Sequence, residues 1–238
     1  TSMRTGENCP NEQIAYERSD LIIHVSEDFI TYGNKLYREK PCHVILSTPS
    51  KKYIIKKNKT NNNNECHFVY QGGIFDPTWK KKMKYSYRNY YDLFKSILDE
   101  GFHVHLYTGV NKTKLPSYMT LNKNYDNFHF HGEWEYSKLI IEISKYDYGL
   151  AGFNITNIHS QSAKDYLDAA LGNKMFDYFC AGLPVITFNA NAMSNFVISN
   201  NCGFKKKEHN LWSNLIEKKI DLKNISAISK KYCMEKQI

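Results

Sequence analysis

Short apolar runs alternate with amphipathic stretches along most of the chain. The runs are rich in β-branched and aromatic residues and are bounded by polar residues or glycine, which predicts buried strands. Between them, apolar side chains recur at three- and four-residue intervals, which predicts helices with one buried face. The predicted strands cover residues 21–25, 44–46, 67–70, 103–107, 128–132 and 185–188. The predicted helices cover residues 29–37, 87–99, 137–144, 173–181, 211–216 and 225–232.

This alternation predicts an α/β fold with a Rossmann-like, doubly wound parallel sheet and helices on both faces. In such sheets a ligand binds outside the carboxyl ends of the strands. Glycines follow the predicted strands at several of these ends, and they mark the candidate site. They are Gly72, Gly73, Gly109, Gly132, Gly152 and Gly182.

Composition narrows the class of protein. A chain of 238 residues with 42% hydrophobic and 14% aromatic residues is not predominantly disordered. No apolar run approaches the length that spans a bilayer. The six cysteines are scattered without a C-x-x-C pair, which argues against a zinc or disulfide framework and indicates a reducing, cytoplasmic location.

The net charge of +8 comes from lysine runs. A solvated lysine-rich face is the preferred interpretation, and peripheral contact with the inner face of a membrane stays open as an alternative. No nucleic-acid-binding motif accompanies the charge, so no nucleic-acid partner is expected. The runs lie at residues 51–52, 56–57, 80–84, 205–207 and 218–219.

The most informative segment is residues 173–186, a predicted helix that ends at Gly182 and continues through Pro184 into a buried strand. Glycine just past a helix, with proline soon after, is a typical helix stop. Lys174 and Asp177 are three residues apart, so they are expected to lie side by side on one exposed edge of the helix. A surface ion pair explains that spacing about as well as a binding site does.

The segment resembles the K-x-x-E-x-x-x-x-G-x-P-V pattern in the nucleotide-sugar-binding half of GT-B-fold glycosyltransferases, group 1-like. The resemblance implies that Asp177 holds the ribose hydroxyls of the donor and that Lys174 contacts its phosphates. Gly182 belongs to the same matched segment. The two-carboxylate E-x7-E arrangement of many retaining members is absent, because Ala169 stands at the first position and Asp168 is only its neighbour.

Other landmarks of the family follow in the expected order. Gly72 and Gly73 resemble a glycine-rich turn that faces the donor pyrophosphate, although a turn that needs positive φ explains the pair equally well. Arg88, near the start of the next helix, is a candidate for a bidentate phosphate contact. His131 and Gly132 resemble the turn that borders the nucleobase, and a histidine with its hydrogen bonds already satisfied is the competing explanation.

The resemblance also divides the chain. Residues 1–50 resemble the strand–helix–strand tail of the N-terminal lobe, residues 51–65 form a Lys/Asn-rich linker or loop, and residues 66–238 form the donor-binding domain. Most of the N-terminal lobe is therefore expected to lie elsewhere, and this chain alone is expected to be inactive.

The implied function is transfer of a sugar from a nucleotide-diphosphate sugar, UDP-sugars favoured, to a glycan, polysaccharide or lipid-linked acceptor. Neither a metal nor a cofactor is expected, since basic side chains would stabilise the departing diphosphate. Two alternatives stay open: a nucleotide-sugar 2-epimerase-like enzyme, and a non-catalytic basic module that binds membranes or nucleic acid.

Overall fold

A computed structural model describes residues 9–55, 65–79, 86–156, 158–207, 211–217 and 220–237. Residues 61–64, the asparagines of the predicted linker, lie outside these residues. Three of the lysine runs (56–57, 80–84 and 218–219) also lie outside them. The strands are β1 (Ile22–His24), β2 (Cys42–Val44), β3 (His67–Gln71), β4 (His103–Tyr107), β5 (Phe128–Gly132), β6 (Tyr148–Gly152), β7 (Val185–Phe188) and β8 (Gly203–Lys205). The helices are α1 (Pro10–Arg18), α2 (Glu27–Leu36), α3 (Tyr91–Asp99), α4 (Pro116–Asn124), α5 (Tyr136–Ile143), α6 (Gln161–Ala169), α7 (Asn173–Cys180), α8 (Asn191–Ser199), α9 (Ser213–Ile216) and α10 (Leu222–Lys231).

Six strands form one parallel sheet in the order β5-β4-β3-β6-β7-β8. Apolar side chains alternate between its two faces. On β3, Phe68 and Tyr70 join the core beneath α3 and α4, while Val69 joins the core beneath α5, α7 and α10. The predicted doubly wound α/β fold is confirmed. The strand order reverses between β3 and β6, and the carboxyl ends of these two strands are where ligands bind in such sheets.

Strands β3 and β6 pair over only part of their length and then diverge. Their register pairs only Phe68 with Tyr148 and Val69 with Gly149. Beyond that point the Tyr178 hydroxyl of α7 lies between the strands, accepting from the Gln71 backbone N–H at 3.0 Å and donating to the Leu150 carbonyl at 3.2 Å. A Cβ at Gly149 would lie only 2.3 Å from the Tyr178 ring, so glycine is required there. The side chain thus satisfies backbone groups that the diverging strands leave unpaired.

The N-terminal residues form a separate two-stranded parallel sheet, β1–β2. Ser26 caps α2, accepting from the Phe29 N–H. The Ser26 hydroxyl also donates to the Ala169 carbonyl at 2.7 Å, and the Tyr32 hydroxyl donates to the Ser162 carbonyl. These contacts hold α2 packed against α6. The proposed domain boundaries at residues 50 and 65 stay a prediction.

The C-terminal segment returns to residues 49–51. The Glu235 carboxylate accepts from the Ser50 hydroxyl at 2.5 Å and from the Lys51 N–H at 2.8 Å, and these bonds lower the pKa of Glu235 to about 2. The Met234 N–H donates to the Pro49 carbonyl. Just before this return, α10 packs on α7.

Six elements were not predicted: α1, α4, α6, α8, β6 and β8. Helix α4 begins at Pro116, and its first turn is fixed by Asp76, which accepts from the Ser117 N–H and hydroxyl. A capping group forty-one residues away leaves no local sequence signal. Strand β2 lies two residues earlier than predicted, and α3 begins only at Tyr91.

None of the helices within the described ranges is long and apolar enough to cross a bilayer.

Replacement of Tyr178 by phenylalanine is expected to lower the free energy of unfolding by about 1–3 kcal/mol, because the Gln71 N–H and the Leu150 carbonyl would lose a buried partner. Urea unfolding measures the change. Tyr125→Phe is the matched control, since the Tyr125 hydroxyl donates to Asp99 at the surface, and its effect should stay within about 0.5 kcal/mol. Equal effects of the two substitutions would contradict this role for Tyr178.

Candidate functional site

The turn after β3 is built as its glycines predicted. Gly72 has φ +122, a conformation that L side chains rarely adopt. Its N–H is not free, however, because it donates to the Tyr107 carbonyl at 3.0 Å. The Gly72 amide is therefore not available to donate to a phosphate, as a turn facing the pyrophosphate would require of it. Gly73 N–H has no partner among the described residues, which leaves one open amide in the turn.

Two cations flank this turn. A Cβ at Gly72 would lie 3.5 Å from Lys174 Nζ, and one at Gly73 would lie 2.7 Å from Arg88 Nη1. The structure therefore brings together Gly72, Gly73, Arg88 and Lys174, which lie far apart in the chain. Positive charge beside an open amide is suited to an anion.

Lys174 lies in an aromatic pocket next to the turn. Its ammonium donates to the Tyr70 hydroxyl at 2.6 Å and lies 3.9 Å from the Tyr70 ring centroid and 5.8 Å from that of Tyr90. The residue keeps some accessible surface, but its amine is enclosed. Burial is the main cause that lowers the pKa of Lys174 to about 7, Arg88 adds to the effect, and Asp177 opposes it. The pocket thus holds an amine that a bound anion would help to charge.

Asp177 lies one turn further along α7 and is only 8% exposed. Its carboxylate accepts from the Gln71 amide and from the Tyr136 hydroxyl, each at 2.6 Å. Burial raises the pKa of Asp177 despite these two bonds and the charge of Lys174.

The expected exposed edge is wrong for Asp177, and the competing explanation, a surface ion pair with Lys174, does not describe this structure. No ion pair within 4.0 Å joins them in the described part of the chain, because Lys174 turns toward Tyr70 while Asp177 turns toward Gln71. A carboxylate offers about four acceptor positions, and the two described donors fill only two. The remainder have no donor among the described residues.

His131 and Gly132 end strand β5. His131 Nε2 lies 3.0 Å from His105 Nδ1, and its ring stacks on Tyr107 with centroids 4.4 Å apart. Gly132 has φ +73, and its carbonyl accepts from the Thr108 N–H. No contact joins either residue to Lys174 or Asp177. These contacts fit the competing explanation, a histidine with satisfied hydrogen bonds, and the position of His131 beside a nucleobase stays a prediction.

Gly182 lies at the other end of α7 from Lys174. The two positions are eight residues apart, which corresponds to about 12 Å at the rise of an α-helix. With φ +76 and its N–H bonded to the Phe179 carbonyl, Gly182 ends the helix as predicted. The geometry supports this structural role and gives Gly182 no contact with the cluster around Lys174.

The structure also shows the surroundings of Ala169 and Asp168, where the sequence departs from the two-carboxylate pattern. Ala169 is buried, and its carbonyl accepts from Ser26. The Asp168 carboxylate accepts from the side chain and N–H of Asn191 at the start of α8. Asp168 is thus engaged away from Lys174 and Asp177.

Sequence reasoning missed three polar side chains of the site: Tyr70, Gln71 and Tyr136. Gln71 lies immediately before Gly72, so its place at the carboxyl end of β3 was a usable signal. Tyr70 and Tyr136 had none, because aromatic residues at a strand end or helix start are normally packing residues. Together with Tyr178, these side chains carry most of the hydrogen bonds around α7.

A family model described as glucosyltransferase 3-like, C-terminal domain, matches residues 98–218, just over half of the chain. No curated protein matches the chain in sequence.

Solved structures share the fold. A glycosyltransferase from Rickettsia africae ESF-5 is 13% identical, with a TM-score of 0.66 over 97% of this chain and 65% of that one. The lipopolysaccharide outer core galactosyltransferase WaaB, in its apo form, is 12% identical, with a TM-score of 0.64 over 99% and 64%. Anabaena HepE in complex with UDP-glucose is 13% identical, with a TM-score of 0.59 over 92% and 61%. The chain thus spans less than two thirds of each of these proteins.

The buried amine generates a pH dependence of stability. Lys174 has a pKa of 10.5 when unfolded and about 7 when folded, so between these values the unfolded state binds one more proton and stability rises with pH. We expect Lys174→Met to raise the free energy of unfolding most below pH 7, and the gain to shrink as pH rises toward 10.

Urea unfolding at a series of pH values measures this difference. Lys123→Met, at an exposed position of α4, is the control and should follow the unsubstituted protein at every pH. A Lys174→Met gain that does not change with pH would show that the amine is not held in its neutral form.

Proposed function

Because the chain belongs to the family of glucosyltransferase 3-like C-terminal domains, we propose that its cluster at the β3–β6 opening binds a UDP-sugar as the donor for glycosyl transfer. Family membership makes it a donor-binding domain of GT-B type. The identity of the nucleotide and the residues that hold it belong to the proposal.

The observation that carries the proposal is the pair of groups on α7. Lys174 lies beside the Gly72–Gly73 turn with Arg88 opposite, a setting for a diphosphate. Asp177 lies three residues further on, about 4.5 Å along the helix axis, with unfilled acceptor positions. A nucleoside diphosphate presents an anion next to a pair of ribose hydroxyls, which matches this order of a cation followed by a carboxylate.

The buried state of these groups supports a binding role over a purely structural one. Burial lowers the pKa of Lys174 and raises the pKa of Asp177, so each is held in an environment that disfavours its charge. Groups with such shifts cluster at functional sites. A diphosphate near Lys174 would favour its ammonium form, so binding would recover part of that cost.

The proposed reaction is displacement at the anomeric carbon with departure of the nucleoside diphosphate. Lys174 and Arg88 would stabilise the charge that develops on the leaving phosphate, and the Gly73 N–H would donate to it. In this proposal the chain's own cations do the work of a metal. His131 and Gly132 would border the uracil, as the family resemblance implies.

The preference for UDP rests on a relative. Anabaena HepE is described in complex with UDP-glucose, and we extend the uridine nucleotide to this chain. A glycan or lipid-linked acceptor would bind mainly to a second lobe. The 238 residues alone are then expected to bind the donor without turning it over, because closure between lobes orders the two substrates.

Titration with UDP in the presence of EDTA tests the proposal. We expect binding without added metal and a thermal shift with UDP that exceeds those with GDP, CMP and ADP. At 100 times its dissociation constant UDP would add about 2.7 kcal/mol to the free energy of unfolding. Uridine alone should bind more weakly, since it lacks the diphosphate.

Two outcomes would count against the proposal. If EDTA abolishes UDP binding and magnesium restores it, transfer is not metal-independent. If no nucleotide binds while anionic vesicles do, the chain is a basic membrane-binding module.

Asp177→Asn tests the ribose contact. The substitution should weaken UDP binding by about 1–3 kcal/mol, the range for a hydrogen bond to a charged group. The stability of the free protein should stay within about 1 kcal/mol or increase, because the raised pKa shows that the buried charge is unfavourable. Calorimetric titration and urea unfolding give the two values.

Asp126→Asn, at an exposed position after α4, is the matched control and should change neither value. A loss of several kcal/mol in the free protein with UDP affinity intact would make Asp177 a structural residue.

A further inference from the structure

A ladder of imidazoles crosses three strands of the sheet. The strand register places His67 of β3 beside His103 of β4, and His105 of β4 beside His129 of β5. Their rings stack, with centroids 4.3 Å apart for the first pair and 4.4 Å for the second. We call the set the histidine ladder: His67, His103, His105, His129 and His131.

Hydrogen bonds between ring nitrogens join the ladder. His67 Nδ1 lies 2.9 Å from His105 Nε2, and His105 Nδ1 lies 3.0 Å from His131 Nε2. His103 Nδ1 lies 3.0 Å from His129 Nε2. All three contacts are satisfied with either every Nδ1 or every Nε2 as the donor. The first choice leaves Nε2 of His67 and of His103 with a lone pair.

This arrangement leaves two nitrogens at the edge of the ladder. His67 Nε2 and His103 Nε2 lie 3.8 Å and 3.6 Å from Glu65 Oε2, and the three atoms lie within 4.8 Å of one another. The histidine side chains are largely covered, while the glutamate side chain is 53% exposed. The cluster is therefore open to solvent on the carboxylate side.

We propose that Glu65, His67 and His103 form a binding site for a divalent transition-metal ion of the zinc class. Two imidazoles and one carboxylate are a ligand set that zinc uses, with a fourth position left for water. Metal–ligand bonds of about 2.0–2.2 Å place tetrahedral ligand atoms roughly 3.3 Å apart. The two spacings to Glu65 need to close by about half an ångström or less, which the exposed Glu65 side chain can provide. The two imidazole nitrogens, within 4.8 Å of each other, would have to approach by a shift of their rings.

The ladder supplies the outer contacts that such a site requires. A metal-bound histidine usually donates its other ring N–H to a neighbouring acceptor, which fixes the tautomer and the ring orientation. His67 and His103 both meet this condition, because each has its Nδ1 against the Nε2 of another ladder histidine. A ladder that only packed the sheet would not need both free nitrogens to converge on one carboxylate.

The proposed metal site lies at the amino ends of the parallel strands. The proposed donor-binding cluster (Gly72, Gly73, Arg88, Lys174 and Asp177) lies at their carboxyl ends. His67 and His103 are the first residues of β3 and β4, whereas Gln71 and the Gly72–Gly73 turn follow the carboxyl end of β3. A metal here would join two central strands and the segment that precedes β3. Its role would be to stabilise the fold, and it would not contact the leaving diphosphate.

Titration of the metal-free, untagged chain with Zn²⁺ tests the proposal. We expect saturable binding of one equivalent, reversed by EDTA, together with a rise in melting temperature. Glu65→Gln and His103→Gln should each lower Zn²⁺ affinity at least tenfold. His43→Gln and His159→Gln change exposed histidines outside the ladder and should leave it unchanged. UDP affinity should be the same with and without Zn²⁺.

The variants also separate a ligand role from a folding role. Because the Glu65 side chain is half exposed, Glu65→Gln should keep the metal-free melting temperature and circular dichroism of the parent while losing the Zn²⁺-dependent rise. The proposal is overturned by the absence of one-equivalent binding, by full affinity in both ligand variants, or by a loss of affinity in a control. Failure of UDP binding would count against the donor site alone.

Discussion

The organisation of this chain depends on one hydroxyl group. Tyr178 reaches from α7 to the point where β3 and β6 separate, and it satisfies the Gln71 N–H and the Leu150 carbonyl on either side. The same helix carries Lys174 and Asp177, so fixing α7 against the two strands also fixes both charged groups against the Gly72–Gly73 turn. The strand order reverses between β3 and β6, and the separation of these two strands provides both the cleft and the side chains that face it.

The proposed donor-binding cluster around Lys174 and Asp177 is electrostatically unfavourable in the free protein. Lys174 and Asp177 are both buried against aromatic and amide groups, without a direct ion pair to offset the cost. Protein sites that bind charged ligands commonly accept this cost, because the ligand then supplies the missing partner. Stability and affinity are therefore expected to respond in opposite directions to changes at these two positions.

The sequence predicted the sheet well because buried parallel strands are continuous apolar runs with glycine at their ends. It also predicted the helix stop at Gly182, since that signal acts within a few residues. The site was predicted less completely. Proximity of Arg88, Lys174 and the glycine turn followed from the family resemblance, whereas the orientation of Asp177 toward Gln71 and Tyr136 depends on tertiary packing. The histidine ladder went unrecognised because its members alternate with apolar residues on three separate strands, and only the register places them side by side.

The return of the C-terminus has a mechanical consequence. Glu235 holds residues 50 and 51, which connect the β1–β2 unit to the main sheet, and the preceding α10 packs on α7. A rotation of the β1–β2 unit about this connection would therefore also displace the C-terminal segment and, through α10, the helix that carries Lys174 and Asp177. Three hydrogen bonds and the packing of α10 on α7 thus couple the β1–β2 unit mechanically to α7.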